Sequence, residues 1–588
     1  MKKTIYLIVA LTTLIVSGCS SDYFETTNNP LSYGESYIDI TISTDKALYN
    51  PGETVKFIAK GIPDGAKVRY TYLGNVISET DLSTETWSWT TPNDDYRGYM
   101  VEIYTIENGV EKLINNIAVD VSSDWAKFPR YGFVSDYEKM DNKFISRNID
   151  ILNRYHINGL QFYDWLYDHQ RPLAGSVENP ATSWEDIFYR TNYFSTVKSY
   201  IDEAKAKGMK TMFYNLCYGA TKNAASDGVS DEWYAYKDQN HSEKDYHDLS
   251  GGRSHIWVLD PGNEQWQNYL VARNKDVYQA LGFDGFHIDQ LGYRGDRYDY
   301  NGKSIDMSKG YGSFINAMKT AEPDKRLLFN AVGGYGQEAI ANAPVDFLYV
   351  EVWGARDGDN PDMSYGDMIA LMRDNVSKSN PEKNIVLAAY MNYNVSSVGF
   401  VNKPGILLAN SAIFAWGGSH LELGEHYLIN EYFPSNNLQL KADLGKELIN
   451  YYDFMVAYQN LLRDGGDFQA AEVAFTNSNI VATRWPAAKG QVATIGKKVN
   501  GKDIYHLINF TDANTMVWRD PKGTQAEPNL IDAPEVSVNV SGTVSKVWFA
   551  SPDVNRGVAQ NLQFVQTGNN VTVTLPSLKY WDMIVVEY

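Results

Sequence analysis

The sequence predicts a multidomain fold of α/β and all-β parts. A central (β/α)8 TIM barrel is expected between an N-terminal immunoglobulin-like β-sandwich and a C-terminal β-sandwich. Short alternating strands separated by turn residues fill both ends of the chain, and strand-like runs alternate with helix-like segments through the middle. The length of 588 residues and a hydrophobic content of 44% agree with several separate cores.

The first residues have the pattern of a signal peptide. Two lysines precede an apolar run, residues 5–16, that is too short to span a bilayer. The letters VSGCSS that follow resemble a bacterial lipoprotein processing box, which would make Cys19 the first mature residue and the point of lipid attachment. We therefore expect a signal peptide over 1–18, a flexible polar tether over 19–36, and a cell-envelope lipoprotein at the outer membrane or surface of a bacterium. Simple secretion with an ordinary Cys19 is the alternative.

Residues 37–123 predict the N-terminal sandwich. The stretch YIDITISTDKALYNPGETVKFIAKG alternates apolar and polar residues around a turn at NPGE, and residues 107–109 read as a hairpin turn. About 85 residues of this pattern are typical of an immunoglobulin-like β-sandwich. The same pattern returns over 466–588, in runs such as DIYHLINFT and SKVWFAS, and predicts the second sandwich.

Residues 124–465 predict the barrel. Helix-like segments separate the strand-like runs; one of them, 264–281, ends at Gly282, a common C-terminal signal of helices. A doubly wound open sheet is the main competitor, but it would need a G-x-G-x-x-G turn, which the sequence lacks. The eight strand-like runs are Tyr131–Ser135, Asn158–Trp165, Lys210–Tyr218, Phe283–Gln290, Arg326–Val332, Asp346–Trp353, Asn384–Tyr393 and His420–Glu425.

Charge and composition narrow the class of ligand. The formal net charge of −20 argues against a nucleic-acid partner, because phosphate backbones attract Lys and Arg, and it suits a neutral substrate. Aromatic residues make up 13% of the chain, which fits stacking on sugars, although a Tyr-rich β-structure would explain the number equally well. Apart from Cys19 the only cysteine is Cys217, so no internal disulfide is expected in the mature core.

No cofactor or metal is expected either. The sequence has no H-E-x-x-H, C-x-x-C or G-x-S-x-G motif. The run DGDNPD at 357–362 fails the calcium-loop pattern, because a proline stands where a ligand should be.

The predicted strands end in polar and aromatic residues. A (β/α)8 barrel carries its active site at the C-terminal ends of its strands, so these side chains should surround one cavity. Carboxylates, amides, imidazoles and aromatic rings together are typical of a carbohydrate site. The residues at these positions are Gln161, Tyr163, Asp164, Trp165, Tyr214, Asn215, His287, Asp289, Gln290, Asn330, Glu351, Trp353, Tyr390, Asn392, His420 and Glu422.

Two carboxylates among them, Asp289 and Glu351, each follow a mostly apolar strand. Glycoside hydrolysis needs such a pair, one group as nucleophile or base and the other as proton donor. A separation of about 5–5.5 Å would predict a retaining mechanism and about 6.5–9.5 Å an inverting one. Taken singly, Asp289 could instead cap a loop and Glu351 could form a salt bridge at the rim. For Asp164 a structural hydrogen bond is the alternative to substrate binding, and for His287 it is packing inside the barrel.

Three motifs resemble glycoside hydrolase family 66, which contains endo-dextranases and cycloisomaltooligosaccharide glucanotransferases. They are GLQFYDWLYDHQRPL at Gly159–Leu173, FDGFHIDQLG around Asp289, and FLYVEVWG at Phe347–Gly354. The resemblance covers the chain after the tether. It implies a retaining mechanism on α-1,6-glucan, with Asp289 as the nucleophile and Glu351 as the acid/base.

The resemblance also completes the set of binding candidates. The first motif contains His169, which joins the residues at the strand ends. We expect dextran or isomaltooligosaccharides to contact Asp164, Trp165, His169, Tyr214, Asn215, His287, Gln290, Asn330, Trp353, Asn392, His420 and Glu422.

One departure from the family bears on the reaction. The glucanotransferases carry a large carbohydrate-binding insertion in the barrel, and the longest gap between predicted strands here, 218–283, has room only for a loop and a helix. This favours hydrolysis by an endo-dextranase. A transglycosylase that forms isomaltooligosaccharides is the alternative, and a non-catalytic glycan-binding protein is a third. We expect a monomer that contacts the membrane only through its lipid anchor.

Overall fold

The computed structural model describes residue 38 and residues 40–352, 363–429 and 437–588. Two antiparallel sheets form its N-terminal part. Thr54–Ala59 alternates exposed and buried residues, so one face of each sheet packs on a shared core that includes Phe57, Val68, Val101 and Val119. The three-stranded sheet has the order Ile42–Thr44, Thr54–Ala59, Thr86–Thr90, and the four-stranded sheet the order Asn75–Asp81, Lys67–Tyr72, Arg97–Glu107, Val110–Val121.

Eight parallel strands follow. Their bounds are Tyr131–Val134 (β1), Gly159–Phe162 (β2), Lys210–Leu216 (β3), Gly285–Asp289 (β4), Arg326–Phe329 (β5), Leu348–Val352 (β6), Ile385–Ala389 (β7) and Ser419–His420 (β8). Strands β1 to β5 form one sheet and β6 to β8 another, each strand pairing with its neighbour in sequence. Parallel bridges between Asn330 and Tyr349 and between Phe133 and Gly424 join the two sheets at both edges. The strands therefore follow one another around a closed ring.

A helix follows each strand of the ring. The helices are Asn142–Arg154 (α1), Phe194–Ala206 (α2), Glu264–Leu281 (α3), Met307–Ala321 (α4), Gln337–Ala341 (α5), Tyr365–Ser377 (α6), Lys403–Ala415 (α7) and Ala442–Ala457 (α8), with a further turn at Gln459–Leu462. Local signals fix several ends: Asn263 accepts hydrogen bonds from the amides of Gln265 and Trp266, and Gly282 ends α3 in the left-handed region at φ 80°. Among the described residues, no helix is long and apolar enough to cross a membrane.

Side chains that point into the ring form a core of their own. Tyr131, Met212, Leu328, Tyr349 and Leu421 belong to this inner cluster, whereas the alternate residues of the strands pack outward against the helices. Because the inner positions near the start of the strands are filled by apolar side chains, a polar site can open only at the C-terminal ends.

Small antiparallel elements shape the loops at those ends. These loops are long because they form small sheets of their own instead of running directly into the next helix. The pairs are Ser183–Glu185 with Thr191–Tyr193, Ile256–Val258 with Gly219–Ala220 and Tyr246–His247, and Arg297–Tyr298 with Ser304–Ile305; Gly399–Phe400 pairs in parallel with Leu438–Gln439.

The C-terminal part is again built of two main sheets around a core that includes Val492, Leu507, Val538 and Ile584. Strand Lys502–Asn509 also contacts helix α7, whose residues 404–415 are buried on every side. The larger sheet has the order Asp467–Gln469, Val492–Val499, Lys502–Asn509, Trp581–Glu587, Lys546–Ala550, Gln560–Asn561, and Ala482–Arg484 lies beside Val492–Val499. The second sheet has the order Val473–Phe475, Glu535–Asn539, Asn570–Thr574, Phe564–Thr567. In addition, Ile531–Asp532 pairs with Ser577–Leu578.

Buried charges join the N-terminal sheets to the ring. Asp453 in α8 accepts hydrogen bonds from Arg154 at 3.0 and 2.8 Å and from the amide of Ala118 at 2.9 Å, and it contacts Nε2 of His156 at 2.7 Å. Burial alone would raise the pKa of Asp453, but Arg154 and His156 outweigh it and lower the pKa to about 2. The carboxylate is therefore ionised throughout the physiological range.

Candidate active site

A cavity of about 640 Å³ opens at the C-terminal ends of strands β2 to β6. Its volume lies within the range of about 300–1,000 Å³ that is usual for ligand sites. Strand ends supply its floor and the loops after β2, β3 and β4 supply its walls. The lining residues are Tyr163, Asp164, His169, Ile187, Phe188, Tyr214, Leu216, His247, Leu249, Ile256, Asp289, Gln290, Leu291, Tyr293, Arg294, Val332 and Glu351.

Asp289 is the last residue of β4 and lies on the floor of this cavity. Its Oδ2 accepts a hydrogen bond of 2.9 Å from the hydroxyl of Tyr214, and its Oδ1 accepts one of 2.8 Å from Nδ2 of Asn330. Burial raises the pKa of Asp289 to about 6, and the hydrogen bonds from Tyr214, Asn330 and the backbone at Gln290 limit the rise.

Glu351 lies on β6, two strands away, and shares the amide of Asn330 with Asp289. Nδ2 of Asn330 is 3.2 Å from Oε2 of Glu351, and Oδ1 of Asn330 accepts a hydrogen bond of 3.2 Å from the backbone amide of Glu351. The hydroxyl of Tyr390 donates to Oε1. One nitrogen thus lies 2.8 Å from Asp289 and 3.2 Å from Glu351, so these two carboxylate oxygens are at most the sum of both distances, about 6 Å, apart.

Asp164 is the third carboxylate of the cavity. It follows β2 in the left-handed region at φ 49°, a strained conformation for a residue other than glycine. Burial raises its pKa to about 7, Arg190, at 3.8 Å, opposes the rise, and the charges of Asp186 and Asp289 add to it. Arg190 is itself held by Asp186 at 2.7 Å and by the carbonyl of Ser135 at 2.9 Å.

Two further side chains of the cavity carry a buried nitrogen without a hydrogen-bond partner among the described residues, namely Nε2 of His169 and Nε2 of Gln290. Nδ1 of His169 contacts Oδ1 of Asn215 at 2.8 Å, and burial lowers the pKa of His169 to about 4, so the ring is neutral at pH 7. Oε1 of Gln290 accepts from the amide of Gly292 at 2.6 Å. Buried polar atoms normally find partners, so both residues are suited to a polar ligand.

Comparison with known proteins identifies the family. The model of glycosyl hydrolase family 66 matches residues 44–585. The chain belongs to glycosyl hydrolase family 66. The family resemblance of the three sequence motifs is thereby confirmed.

Relatives and solved structures of this family-66 chain carry two activities in their names. A cycloisomaltooligosaccharide glucanotransferase of Niallia circulans is 27% identical, with 100% of this chain and 75% of the relative covered. A dextranase of Streptococcus salivarius is 25% identical, with 85% of this chain and 68% of the relative covered. The crystal structure of a Paenibacillus sp. cycloisomaltooligosaccharide glucanotransferase, complexed with cycloisomaltoheptaose, is 25% identical and superposes with a TM-score of 0.82, over 93% of this chain and 99% of that chain.

Of the candidates proposed from the sequence, Asp164, His169, Tyr214, Asp289, Gln290 and Glu351 line the cavity of this family-66 protein. Asn330 contacts both Asp289 and Glu351 from beside it. Asn215 is fully buried and orients His169, because its Nδ2 donates to the carbonyl of His169 at 2.8 Å.

Two candidates lie in packed cores. Trp165 has no exposed surface, packs against Trp184, Phe213 and Phe283, and donates from Nε1 to the carbonyl of Tyr214. His287 does point into the ring, but one layer below the cavity, where it stacks on Tyr131 and meets the edge of Tyr349. Burial lowers the pKa of His287 to about 3, as expected for a neutral ring in a packed core.

Strands β7 and β8 contribute less than expected. Nδ2 of Asn392 donates to the carbonyl of Asp520 at 2.7 Å and so holds a loop of the C-terminal part. His420 and Glu422 face the helices, since Leu421 between them takes the inward position. His420 contacts Oδ1 of Asn410 at 2.8 Å, and Glu422 accepts from Nδ2 of Asn410 at 2.8 Å. Trp353 and Cys19 lie outside the described residues.

The loops supply cavity residues that the strand-end analysis missed, among them Phe188, His247, Tyr293 and Arg294. Arg294 forms a two-fold hydrogen bond with Asp245, at 2.9 and 2.7 Å, across 49 residues of sequence. No local pattern of either segment indicates this pairing. In the described part of the chain, no group of three or more His, Cys, Asp or Glu side chains could hold a metal ion.

Proposed function

We propose that the protein is an endo-acting glycoside hydrolase that cleaves α-1,6-glucosidic bonds of dextran through a covalent glycosyl-enzyme intermediate. The observation that carries this proposal is the amide of Asn330, whose single nitrogen contacts Asp289 and Glu351. The resulting limit of about 6 Å between these two carboxylate oxygens supports the closer spacing of retaining enzymes, about 5–5.5 Å between the carboxyl groups, over the 6.5–9.5 Å of inverting enzymes.

In the first step Asp289 attacks the anomeric carbon while Glu351 donates a proton to the glycosidic oxygen, so that one glycosidic bond breaks and one ester bond forms. The donors Tyr214 and Asn330 favour the ionised form of Asp289, which is the form that attacks. In the second step Glu351 takes a proton from water, and the water oxygen replaces Asp289 on the sugar. Both steps need Asp289 and Glu351 side by side at the bottom of the cavity, where the ends of β4 and β6 lie.

The ring of strands gives this chemistry its frame. We infer that β1 to β8 and the helices between them form a (β/α)8 barrel with a β-sandwich on either side, since the strands pair in sequence order around a closed ring. A site at the C-terminal ends of the strands is what this architecture would provide.

The choice of dextran rests on the relatives and on the cavity. Relatives named dextranase and cycloisomaltooligosaccharide glucanotransferase cover most of this chain. The one cationic residue with a fixed charge that lines the cavity, Arg294, is paired with Asp245, so among the described residues the cavity offers no unpaired cation to a phosphorylated ligand. A neutral glucan suits carboxylates, a neutral His169 and the amide of Gln290.

Reducing-sugar release tests the proposal. The purified protein should release reducing ends from dextran, and starch and pullulan serve as controls for the α-1,4 and mixed linkages. Asp289→Ala should abolish release while its thermal unfolding stays cooperative. Release from starch but not from dextran would contradict the substrate assignment, and an Asp289→Ala variant with full activity would contradict the catalytic one. A wild type that binds dextran and releases no reducing ends would favour a glycan-binding protein.

A glucanotransferase is the second candidate, because two glucanotransferase relatives are each 27% identical to the chain. Between β3 and β4 the chain has only short strands, two 3-10 turns and helix α3, which favours hydrolysis over cyclisation. Chromatography of the products separates the two. Linear isomaltooligosaccharides, with a number of reducing ends that grows with time, support hydrolysis. Cyclic products without new reducing ends support the transferase.

We further propose that the enzyme is a lipoprotein of the bacterial cell envelope. The support is the sequence of residues 1–19 alone. Metabolic labelling with a radioactive fatty acid in a bacterial host should mark the wild type and not Cys19→Ala, and equal labelling of both would contradict the assignment.

A further inference from the structure

An exposed aromatic ring lies at the mouth of the cavity. Tyr293 is 71% exposed and also lines the cavity. Among the other Phe, Trp and Tyr side chains in the described part of the chain, Tyr189, Tyr246 and Tyr588 are also exposed, and none of the three lines the cavity. Single exposed apolar side chains are common, so exposure alone would mean little. Tyr293 also lies four residues after Asp289 and lines the same cavity as Asp289 and Glu351.

The backbone next to Tyr293 is anchored. Arg294 donates to both oxygens of Asp245, at 2.9 and 2.7 Å, and to the carbonyl of Tyr246 at 2.9 Å. Asp245 is fully buried and takes a second cation, Arg297, at 2.8 Å. Charge-assisted pairs of this geometry are among the strongest hydrogen bonds in proteins. The loop that carries Tyr293 is therefore joined to the loop after β3, and this holds the tyrosine at the rim of the cavity.

The ring of Tyr293 is also supported from one side. It meets Tyr335 edge to face, with centroids 5.5 Å apart and an interplanar angle of 67°. Tyr335 meets Tyr311 in the same way at 5.9 Å and 87°, and the hydroxyl of Tyr311 donates to Oε1 of Gln290 at 3.3 Å. A continuous row of side chains thus runs from the mouth of the cavity to its floor. Edge-to-face contacts fix a ring without covering both of its faces.

We propose that Tyr293 is a platform on which a glucosyl unit of the substrate stacks, at least one unit away from the bond that is cut. This inference rests on the proposed function, because it takes the ligand to be a neutral glucan. A tyrosine ring offers a flat apolar face to the C–H groups of a sugar and leaves its hydroxyl in water. The floor of the cavity binds sugar through carboxylates and amides, and Tyr293 adds an apolar contact farther along the chain.

Kinetics on substrates of different length test the platform. Tyr293→Ala should raise KM for long dextran about three- to tenfold, equivalent to about 0.6–1.4 kcal/mol of binding, while kcat changes less than twofold. The KM for the shortest isomaltooligosaccharide that the wild type cleaves should change less, since a short chain need not reach the rim. Tyr293→Phe keeps the ring face and should retain the wild-type KM. Tyr588→Ala removes an exposed tyrosine in the C-terminal sheet and serves as the matched control.

The outcomes separate the platform from the proposed function. If the wild type cleaves dextran and Tyr293→Ala has the wild-type KM and product lengths, the platform is refuted and the function stands. If Tyr293→Phe is as impaired as Tyr293→Ala, the hydroxyl and not the ring face binds the substrate, and the stacking inference is refuted. If the wild type neither cleaves nor is retarded by dextran in native gels, the function and the platform both fall.

Discussion

Replacing Asn330 by alanine tests the arrangement of the proposed catalytic pair, Asp289 and Glu351. The amide of Asn330 donates to Asp289 at 2.8 Å and to Glu351 at 3.2 Å, and Asn330→Ala removes both contacts. A hydrogen bond to a charged group contributes about 1.5–3 kcal/mol, so the loss of the contact to Asp289 alone should lower kcat/KM about 10- to 150-fold.

The pH dependence of the same variant gives a second, independent readout. As the proposed nucleophile, Asp289 would act in its ionised form, and burial raises its pKa to about 6, so activity of the wild type should fall as the pH drops through about 6. The hydrogen bond from Asn330 lowers this pKa. Without it the pKa rises further, and the acid limb of kcat/KM should move to higher pH.

The assay is the initial rate of reducing-sugar release from dextran between pH 4 and 8. Asn392→Ala is the matched control, because Asn392 is a fully buried asparagine after β7, two strands away from β5, and it bonds to Asp520 instead of Asp289 or Glu351. It should lower the melting temperature and leave the acid limb in place. An Asn330→Ala variant with activity within twofold of the wild type and an unmoved acid limb would refute the role that we assign to the shared amide.

Three further predictions follow from other contacts. Tyr214→Phe removes the hydroxyl 2.9 Å from Oδ2 of Asp289, so kcat/KM on dextran should fall about tenfold and the acid limb should again move up; an unmoved limb would contradict this. Glu422→Gln should keep kcat within twofold while the melting temperature falls, because the carboxylate contacts Asn410 outside the cavity; a large loss of kcat at unchanged stability would contradict its placement. Asp453→Asn leaves Arg154 buried without its full partner and should lower the unfolding free energy by about 3–5 kcal/mol in urea titrations. In the wild type this contribution is present above the unfolded pKa of about 4 and is lost as the pH falls through about 2, so the gap between wild type and variant should close in acid.

The sequence alone was sufficient to place the strands of the ring and the two central carboxylates. Each apolar run ends in a polar residue that local periodicity can locate, and the observed strands β1 to β8 fall inside or beside the eight expected runs. Asp289 and Glu351 occupy the last or next-to-last position of β4 and β6. Position at a strand end was the useful signal, because parallel strands bring their ends together whatever their distance in sequence.

Orientation was harder to predict than position. In a strand, a shift of one residue moves a side chain to the opposite face, and β8 has only Ser419–His420 from which to set the register. The strand-end pattern therefore predicts His420 and Glu422 at the cavity, although both side chains face the helices. The depth of a side chain inside the ring of strands is equally hard to predict from the sequence. His287 faces inward as expected, but whether it reaches the cavity depends on which side chains fill the ring beneath the cavity.

The walls of the cavity could not be predicted because long-range contacts fix them. Arg294 and Asp245 belong to different loops, and neither flanking sequence has a periodic pattern. The same holds for the row from Tyr293 through Tyr335 to Gln290, which only the folded loops bring together.

The burial of helix α7 by a later strand affects the order in which the chain folds. The outer face of α7 is covered by strand Lys502–Asn509, almost a hundred residues later in the sequence. During synthesis the apolar helix therefore leaves the ribosome well before the strand that covers it. The nascent chain must pass through a stage in which this surface is open to chaperones or to neighbouring chains. Shortening the protein from its C-terminus would make that stage permanent, and aggregation, not a smaller working enzyme, is the expected result.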